Sequence, residues 1–551
     1  MQKKDRIFFV LSLCFGAFIP ILVLISIHGQ KYVIQNDTRF HIVWMERYVD
    51  PKIFPNDYIA DYCQAATASG VKGFYRLAAY AGIHPLSFNR FVPLILALLM
   101  TASCFVVSMR IFPSAFAAFL GTVLLNQCAW FREDLATGTP RAFATPLLAL
   151  FLAALSFDHW LMLTIALVLE GLFYPPMFLM SVVTWFLYLV LRKEFSVHNR
   201  QTYRFILACA IASVTLIPYL LPNSVLGPGL TMADAQQMPW FLPNAKNHFF
   251  SEPFSYYLTS THTGFIPRLL PPTLWLAALL PVSYFRKPSA GLRVLICLVV
   301  ASVILFVAAH LLLFRLYLPS RYPRYALQIA VPICSGIVIA TTFQWIYESA
   351  QRKPVRVAVQ LLGICLTIFI LCVPFLWYRM FPRSQYSVGE QPELYEFFQK
   401  QPFDTLIASL SEEVNNLPAF SSKSILIGYE YSQIWHKNYY WQFQHRFSDT
   451  IQMQYSQDPE VVRNFIRKYD VDFILLDQTW LKKDYLKNQD WTPEFAGEVK
   501  QAEKNRRTHS DFFVVRAIPA CTVFESAKSK VLDTKCILNL VSPIGNAQQK
   551  Y

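Results

Sequence analysis

The sequence predicts a polytopic membrane protein that is built mainly from α-helices and ends in a small α/β domain. Only 15% of the 551 residues are charged, whereas an average soluble protein has about 25%. Apolar runs that can cross about 30 Å of hydrocarbon recur many times before residue 380. No run of that kind follows residue 380, where short strand and helix patterns alternate.

Eleven membrane spans are expected. The first, Ile7–His28, follows Lys3, Lys4 and Arg6 but lacks the small-residue cleavage site of a signal peptide, so we expect a retained helix. The remaining spans are expected at approximately 92–111, 114–131, 140–157, 160–173, 176–191, 204–221, 269–285, 292–314, 324–347 and 356–378.

The charge distribution predicts the orientation of these spans. Alternating spans place the basic loops Arg192–Arg204, Arg286–Arg293 and Arg352–Arg356 in the cytoplasm, as the positive-inside rule requires. We therefore expect a plasma (inner) membrane protein with a cytoplasmic N-terminus and an extracytoplasmic C-terminal domain. The net charge of +14 arises entirely before residue 381, so topology explains it and nucleic acid is not an expected partner.

Two domains are predicted. The transmembrane domain covers 1–380 and includes an outer loop, 29–91, with two amphipathic helices at the membrane interface. The soluble domain covers 381–551. Helices are expected at Glu393–Gln399 and Pro459–Tyr469, and strands at Thr405–Ala408, Ser424–Gly428, Asp472–Leu476 and Phe512–Arg516.

Two features of the soluble domain leave alternatives open. Its aromatic residues between Tyr429 and Trp441 indicate either packing, against the membrane surface or in the core of the domain, or else sugar stacking or docking onto the membrane domain. Cys521 and Cys536 are either a disulfide, which an extracytoplasmic location permits, or two free thiols.

Ionisable residues gather at the predicted outer ends of the spans, and such clustering indicates a site. The acids lie in the first half of the chain and the arginines mostly in the second. Sugar transfer from a lipid phosphate needs an acid that takes a proton from the acceptor. It also needs cations on the opposite side of the site that hold the phosphate. The candidate residues are Asp37, His41, Glu133, Asp134, Arg141, Glu170, Arg321 and Arg324.

Several of these residues also have a purely structural interpretation. Asp37 stands where a helix begins and can be its N-cap. The run Arg132–Asp134 can pair within itself, and Arg321 and Arg324 can anchor lipid headgroups. Glu170 can be held by a structural hydrogen bond inside its span.

The overall layout resembles the GT-C superfamily of glycosyltransferases, which includes protein mannosyltransferases and the transferases that modify lipid A. The resemblance rests on a retained first helix and on Asp37 in Asn36–His41, just after it. It implies a polyprenyl-phosphate sugar donor and makes Asp37 the catalytic base. The family's doubled acid is absent, because Asn36 precedes Asp37 and Thr38 follows it. The segment Phe54–Tyr62 looks like uncharacterised bacterial membrane proteins of this layout.

The resemblance also suggests roles for later residues. Glu133 and Asp134 look like the second acidic motif of the superfamily, which would orient the acceptor or a divalent cation such as Mg or Mn; metal dependence is left open. Arg321, with Arg141 or Arg324, would hold the lipid phosphate, and His41 and Glu170 would contact substrate.

The sequence thus predicts an integral-membrane hexosyl or pentosyl transferase of GT-C type. Its expected partners are membrane lipid, a polyprenyl-phosphate-linked sugar and a glycan, lipid or protein acceptor. The alternative is a non-catalytic membrane protein: a lipid or polysaccharide transporter, an envelope-assembly scaffold or an inactive GT-C homologue.

Overall fold

The computed structural model describes residues 2–221, 225–241, 245–246, 249–268, 271–279, 290–377, 386–508 and 511–540. Outside this description fall the predicted domain boundary at residue 380 and the first half of the predicted loop Arg286–Arg293.

The described residues are mostly helical. The α-helices are α1 Lys3–Ile27, α2 Asn36–His41, α3 Tyr58–Ala66, α4 Ser69–Tyr80, α5 Pro85–Ile111, α6 Ala115–Phe131, α7 Ala144–Ser156, α8 Trp160–Phe173, α9 Pro175–Leu191, α10 Arg200–Ser213, α11 Ile217–Leu220, α12 Met232–Gln237, α13 Ala290–Leu311, α14 Arg321–Ser349, α15 Lys353–Trp377, α16 Pro392–Gln399, α17 Leu417–Ser421, α18 Lys437–Gln454, α19 Pro459–Tyr469, α20 Ala496–Thr508, α21 Phe513–Cys521 and α22 Thr534–Asn539. The strands are β1 Val33–Gln35, β2 Tyr386–Val388, β3 Leu406–Ser409, β4 Ser424–Ile425, β5 Phe473–Asp477, β6 Thr522–Glu525 and β7 Ser529–Asp533.

The chain divides into two compact units. The membrane unit consists of Met1–Gln30, Thr67–Pro222 and Ser251–Tyr386. The α/β unit consists of Lys31–Ala66, Asn223–Phe250 and Ser387–Tyr551. The first part of the outer loop, with α2 and α3, therefore folds as part of the α/β unit.

The membrane unit carries the apolar helices of a multi-pass membrane protein. Six described helices are long and apolar enough to span: α1, α5, Arg200–Tyr219, Gly291–Leu311, α14 and Lys353–Leu376. Shorter apolar helices occupy Ala115–Phe131, Pro140–Ser156, Trp160–Phe173 and Pro175–Leu191. These ten coincide with predicted spans. The eleventh, at 269–285, falls on a 3-10 helix, Pro272–Leu279, and otherwise mainly outside the described residues, so the count of eleven stays a prediction.

Helices α6 and α14 pack with their backbones in close contact. A Cβ atom added to Gly336 would lie 2.5 Å from the backbone nitrogen of Gly121 and 2.6 Å from the carbonyl oxygen of Ala117. Only a glycine therefore lets the two backbones approach this closely. Gly121 and Gly336 lie within the two helices, and Arg324 at the beginning of α14 contacts Asp134 just after the end of α6.

The α/β unit contains a five-stranded sheet in the order β4-β3-β5-β7-β6. Strands β4, β3 and β5 are parallel, while β7 pairs antiparallel with both β5 and β6. Three of the four predicted strands coincide with β3, β4 and β5, and both predicted helices coincide with α16 and α19.

The predicted strand Phe512–Arg516 is wrong, because these residues begin helix α21. Its aromatic and β-branched run is typical of a strand when read locally. The buried residues Phe513, Val514, Ala517 and Cys521 instead recur at helical spacing, and this becomes visible only over the longer window.

The α/β unit also decides between two earlier alternatives. Cys521 and Cys536 form a disulfide that joins the end of α21 to α22. Much of the aromatic cluster is packed inside the unit. Tyr439 is fully buried and stacks on Tyr62 with 3.6 Å between ring centroids, while the Tyr62 hydroxyl lies 2.9 Å from His436 Nδ1.

Substituting Gly336 by alanine should destabilise the protein by about 1–3 kcal/mol, because the new methyl group meets backbone atoms that cannot move aside. Gly363→Ala is the matched control. Its added Cβ would meet only the Phe343 ring at an ordinary 3.6 Å, and the gain in helix propensity makes it neutral or stabilising. Thermal unfolding in detergent measures both. Equal midpoints for the two variants would contradict the close helix contact.

Candidate functional site

The end of helix α6 is shaped by its capping turn. Glu133 adopts a left-handed conformation with φ of 58°. Its N–H donates to the Trp130 carbonyl at 3.0 Å, and the Asp134 N–H donates to the Ala129 carbonyl at 3.0 Å. This pair of bonds is the Schellman motif. It stops the helix and turns the chain so that Asp134 follows directly after the last turn.

Asp134 is the centre of a buried ionic cluster. It is 2% exposed, and its carboxylate accepts a hydrogen bond from Arg324 Nη2. Arg141 Nε lies 3.7 Å from Asp134 Oδ1, and Arg132 Nε lies 3.8 Å from Oδ2. Burial alone would raise the pKa of Asp134, but the positive charges of Arg324, Arg141 and Arg132 outweigh burial and lower it.

Arg321 lies at the beginning of α14, one turn before Arg324. Its charge acts on Asp134 more weakly than the charges of the other three arginines do. The Nε and Nη1 atoms of Arg321 are buried and have no hydrogen-bond partner among the described residues. Its charge interacts electrostatically with the phenol groups of Tyr174, Tyr317 and Tyr325. Buried donor atoms without a partner indicate a missing acceptor, since such atoms are normally hydrogen-bonded.

The cluster, defined as Arg132, Asp134, Arg141, Arg321 and Arg324, has a surplus of positive charge. Four guanidinium groups share one buried carboxylate, and the charge stays positive even when the neighbouring Glu133 is counted. Burial and the charge of Arg324 together lower the pKa of Arg132 to about 10. The electrostatics of the cluster therefore favour an anion.

A polar network fixes the loop that carries Asp134. Asn89, buried in α5, accepts a hydrogen bond from the Gly138 N–H at 2.8 Å and donates to Thr137 Oγ1 at 2.9 Å. The Tyr75 hydroxyl lies 2.8 Å from Asn89 Oδ1 and 3.0 Å from the Gly138 carbonyl oxygen. A Cβ on residue 138 would come within 2.3 Å of that hydroxyl. Asn89, Tyr75 and Gly138 thus position the loop.

Glu170 is fully buried in α8, and one of its carboxylate oxygens accepts a hydrogen bond from Ser181 at 2.8 Å. Its observed partner is therefore a serine of α9, not an arginine of the cluster. This agrees with the structural interpretation of Glu170, and contact with substrate stays a prediction.

Asp37 and His41 belong to the α/β unit, on the short helix α2. The Gln35 side chain caps this helix by accepting the Thr38 N–H at 3.3 Å, so the interpretation of Asp37 as the N-cap is wrong. Asp37 is half-buried. The His41 ring contacts the Phe40 ring edge to face at 4.8 Å.

The residues of the site do not form an evident metal centre. Among the described residues, no three His, Cys, Asp or Glu side chains are grouped so that they could hold a metal ion. Asp134, the acid suggested as a ligand, already contacts three arginines. The surrounding positive charge disfavours a cation there, and we assign no step of the reaction to a metal.

Sequence reasoning missed the roles of Arg132 and Asn89. The sequence places Arg132 in a run that can pair within itself, and its contact with Asp134 agrees with that interpretation, but the sequence does not make Arg132 a candidate of the site. Asn89 carried a usable signal, because an asparagine in the first turns of an otherwise apolar span needs a polar partner. Its partners, Thr137 and Gly138, lie 48 and 49 residues away and have no recognisable motif.

Sequence comparison finds no relative: no protein-family model matches the chain, and no curated protein matches it. Solved structures do. The archaeal oligosaccharyltransferase AglB from Archaeoglobus fulgidus, in complex with an inhibitory peptide and a dolichol-phosphate, matches with a TM-score of 0.54 and 10% identity, over 91% of this chain and 73% of that chain.

A second match is ArnT from Cupriavidus metallidurans bound to undecaprenyl phosphate. It has a TM-score of 0.50 and 12% identity, over 97% of this chain and 98% of that chain. The Archaeoglobus oligosaccharyltransferase was also crystallised with Zn and sulfate, and that structure matches with a TM-score of 0.50 and 10% identity, over 90% of this chain and 70% of that chain. These likenesses confirm the predicted fold class, a helical membrane bundle with a C-terminal sheet domain.

Replacing Asp134 by asparagine should lower the stability at pH 7 by about 3–5 kcal/mol, because the buried arginines lose their counter-charge. The pKa of Asp134 is lowered in the folded state, so its stabilisation is present above the unfolded pKa near 4 and disappears as the pH falls through the folded value. The gap between wild type and variant should therefore shrink below about pH 4.

Unfolding midpoints in detergent across pH 3–8 measure this gap. Asp158→Asn is the control, since Asp158 forms a partly exposed ion pair with Arg192 worth about 1 kcal/mol or less. A pH-independent gap for Asp134→Asn would contradict the ionic role of Asp134.

Proposed function

We propose, from the GT-C fold that this chain shares with AglB and ArnT, that it is an integral-membrane glycosyltransferase. It transfers a sugar from a polyprenyl-phosphate donor to an acceptor hydroxyl. The observation that carries the proposal is the arginine cluster, and above all the partly buried Arg321, whose buried Nε and Nη1 atoms lack a partner among the described residues.

The cluster suits the phosphate of the donor. Guanidinium groups bind phosphate through paired N–H donors at fixed geometry, more specifically than a lysine does. A lipid-linked phosphate brings the negative charge that the cluster lacks. The solved neighbours support the choice of lipid, because AglB was solved in complex with a dolichol-phosphate and ArnT was solved bound to undecaprenyl phosphate.

The reaction needs one base and one stabilised leaving group. Asp37 takes the proton of the acceptor hydroxyl as its oxygen attacks the anomeric carbon of the sugar. The bond from that carbon to the phosphate oxygen breaks, and the phosphate leaves with one more negative charge. Arg321, Arg324 and Arg141 stabilise that developing charge.

The remaining candidate residues act around this step. Asp134 is a positioning residue, because it holds Arg324, Arg141 and Arg132 at fixed places. Glu133 and His41 orient the substrates. The disulfide between Cys521 and Cys536 supports an extracytoplasmic α/β unit, since disulfides persist in oxidising compartments. The donor sugar would then be presented at the outer leaflet.

Asp37→Asn should reduce sugar transfer by about 10²–10⁴-fold, because it removes the general base while keeping the shape of the side chain. The assay follows a labelled sugar from polyprenyl phosphate to acceptor in proteoliposomes. Asp50→Asn, in the same outer loop, is the control and should retain wild-type turnover. Equal turnover of Asp37→Asn and wild type would exclude Asp37 as the base, and no transfer by any variant would favour the non-catalytic alternative.

Arg321→Gln should weaken binding of undecaprenyl phosphate by about tenfold or more, since a charge-assisted hydrogen bond contributes about 1.5–3 kcal/mol. Arg200→Gln, which removes an exposed arginine at the start of α10, should bind the lipid as wild type does. Native mass spectrometry or lipid titration in detergent measures both affinities. Identical affinities of the two variants would remove Arg321 from the phosphate site.

A further inference from the structure

The α/β unit has a crevice where its parallel strands end. A cleft of about 380 Å³ is lined by Ser409–Ser411, which follow β3, and by Gly428–Glu430, which follow β4. A second cleft of about 650 Å³ includes Asp477–Thr479, which follow β5. The two clefts share Ser411, Glu412 and Glu413. We call the two together the strand-end crevice.

The position of the crevice in the sheet is that of a ligand site. Strand β3 comes first in the chain, β4 pairs on one side of it and β5 on the other, all in parallel. The chain therefore reverses direction across the sheet at β3. In open α/β sheets, ligands bind outside the carboxyl ends of the strands at this switch point.

The charges of the crevice indicate which class of ligand it can bind. The smaller cleft has five carboxylates, Glu390, Glu412, Glu413, Glu430 and Asp490, against the single arginine Arg39. Burial together with the nearby Asp490 and Asp477 raises the pKa of Glu412. A surplus of carboxylates repels phosphates and other anions, but it offers acceptors to ligands that donate hydrogen bonds.

Two buried side chains in the wall of the smaller cleft each have one polar atom without a partner among the described residues. Arg39 is 6% exposed and reaches Glu430 only at 4.0 Å, and its Nε has no hydrogen-bond partner among the described residues. Asn416 is 8% exposed and donates to Glu413 at 2.7 Å, but its Oδ1 accepts no hydrogen bond from them. The wall of the smaller cleft thus has one donor atom and one acceptor atom without a partner among the described residues, and a hydroxyl group satisfies both kinds.

The crevice also includes part of helix α2. Asn36 and Arg39, which line the smaller cleft, lie on either side of Asp37 in the chain. Ser387 Oγ donates to Asn36 Oδ1 at 2.7 Å and attaches this helix to the wall. The helix that carries the proposed base is therefore part of the crevice wall.

We propose that the strand-end crevice binds the saccharide portion of the acceptor, an assignment that rests on the proposed function for its link to catalysis. A neutral sugar donates its hydroxyls to the carboxylates and accepts from Arg39, and it brings no charge that the acids repel. The proposal makes Glu412 and Glu430 specificity residues for the acceptor, not participants in the chemistry. The saccharide has the same chemistry whether a lipid or a soluble glycan carries it.

The test measures the binding of sugar probes to the full-length protein in nanodiscs, without the lipid donor. Saturation-transfer NMR detects the binding. The probes are methyl α-D-glucoside, methyl α-D-mannoside, methyl β-D-galactoside and N-acetylglucosamine, with glucose 6-phosphate and spermidine as charged counterparts. Wild type should bind at least one neutral probe and not the phosphate. Glu412→Gln and Glu430→Gln should bind it at least fivefold more weakly. Glu393→Gln, an exposed glutamate at the start of α16, is the control and should bind as wild type does.

Three results would overturn the proposal: no neutral probe binds to wild type, both crevice variants bind as the control does, or spermidine binds and displaces the sugar. Undecaprenyl phosphate binding to the same variants separates this proposal from the proposed function. If wild type binds the lipid but no neutral probe, the crevice proposal alone is refuted. Sugar binding by a protein that does not bind the lipid leaves the crevice in place and refutes the donor.

Discussion

The membrane unit depends on how it stabilises one buried carboxylate and four arginines. Taking a charged group out of water costs several kcal/mol, and this cost is recovered only where partners are close and well placed. Asp134 meets that condition through Arg324, Arg141 and Arg132. The Schellman turn at Glu133, the network around Asn89 and the glycine contact between α6 and α14 all serve to keep these groups in place.

The same arrangement leaves positive charge and hydrogen-bond donors that the described residues do not satisfy. One carboxylate cannot neutralise four guanidinium groups, and Arg321 has buried donors without acceptors among those residues. In a structural ion pair the positive and negative charges would cancel. An anion-binding site keeps a surplus of positive charge until its ligand is bound. This difference is why we assign the cluster to the phosphate of a donor and not to lipid anchoring alone. In the α/β unit the balance is reversed, since the strand-end crevice is rich in carboxylates and suits a neutral, hydroxyl-bearing ligand.

Hydropathy and charge predicted much of the architecture. Long apolar runs must be helical in lipid, so ten of the eleven predicted spans coincide with described helices. Short apolar runs bounded by turn residues correctly predicted three strands. Phe512–Arg516 was misassigned because a window of five residues cannot distinguish the strand period from the helix period.

The site was predictable only as a set of candidates. Arg324 contacts Asp134 across 190 positions in the chain, and no local pattern encodes that pairing. Asp57 is buried and accepts the Ala60 N–H at 2.9 Å, and no local pattern indicates this burial. The burial of Arg39 beside the crevice likewise becomes visible only in the fold.

The most direct measurement is an experimental structure with undecaprenyl phosphate bound. The account predicts phosphate oxygens within hydrogen-bond distance of Arg321 Nε and Nη1, with Arg324 or Arg141 as a second contact and Asp134 still paired behind them. A phosphate bound elsewhere, with the arginine cluster unchanged and without an anion, would contradict it.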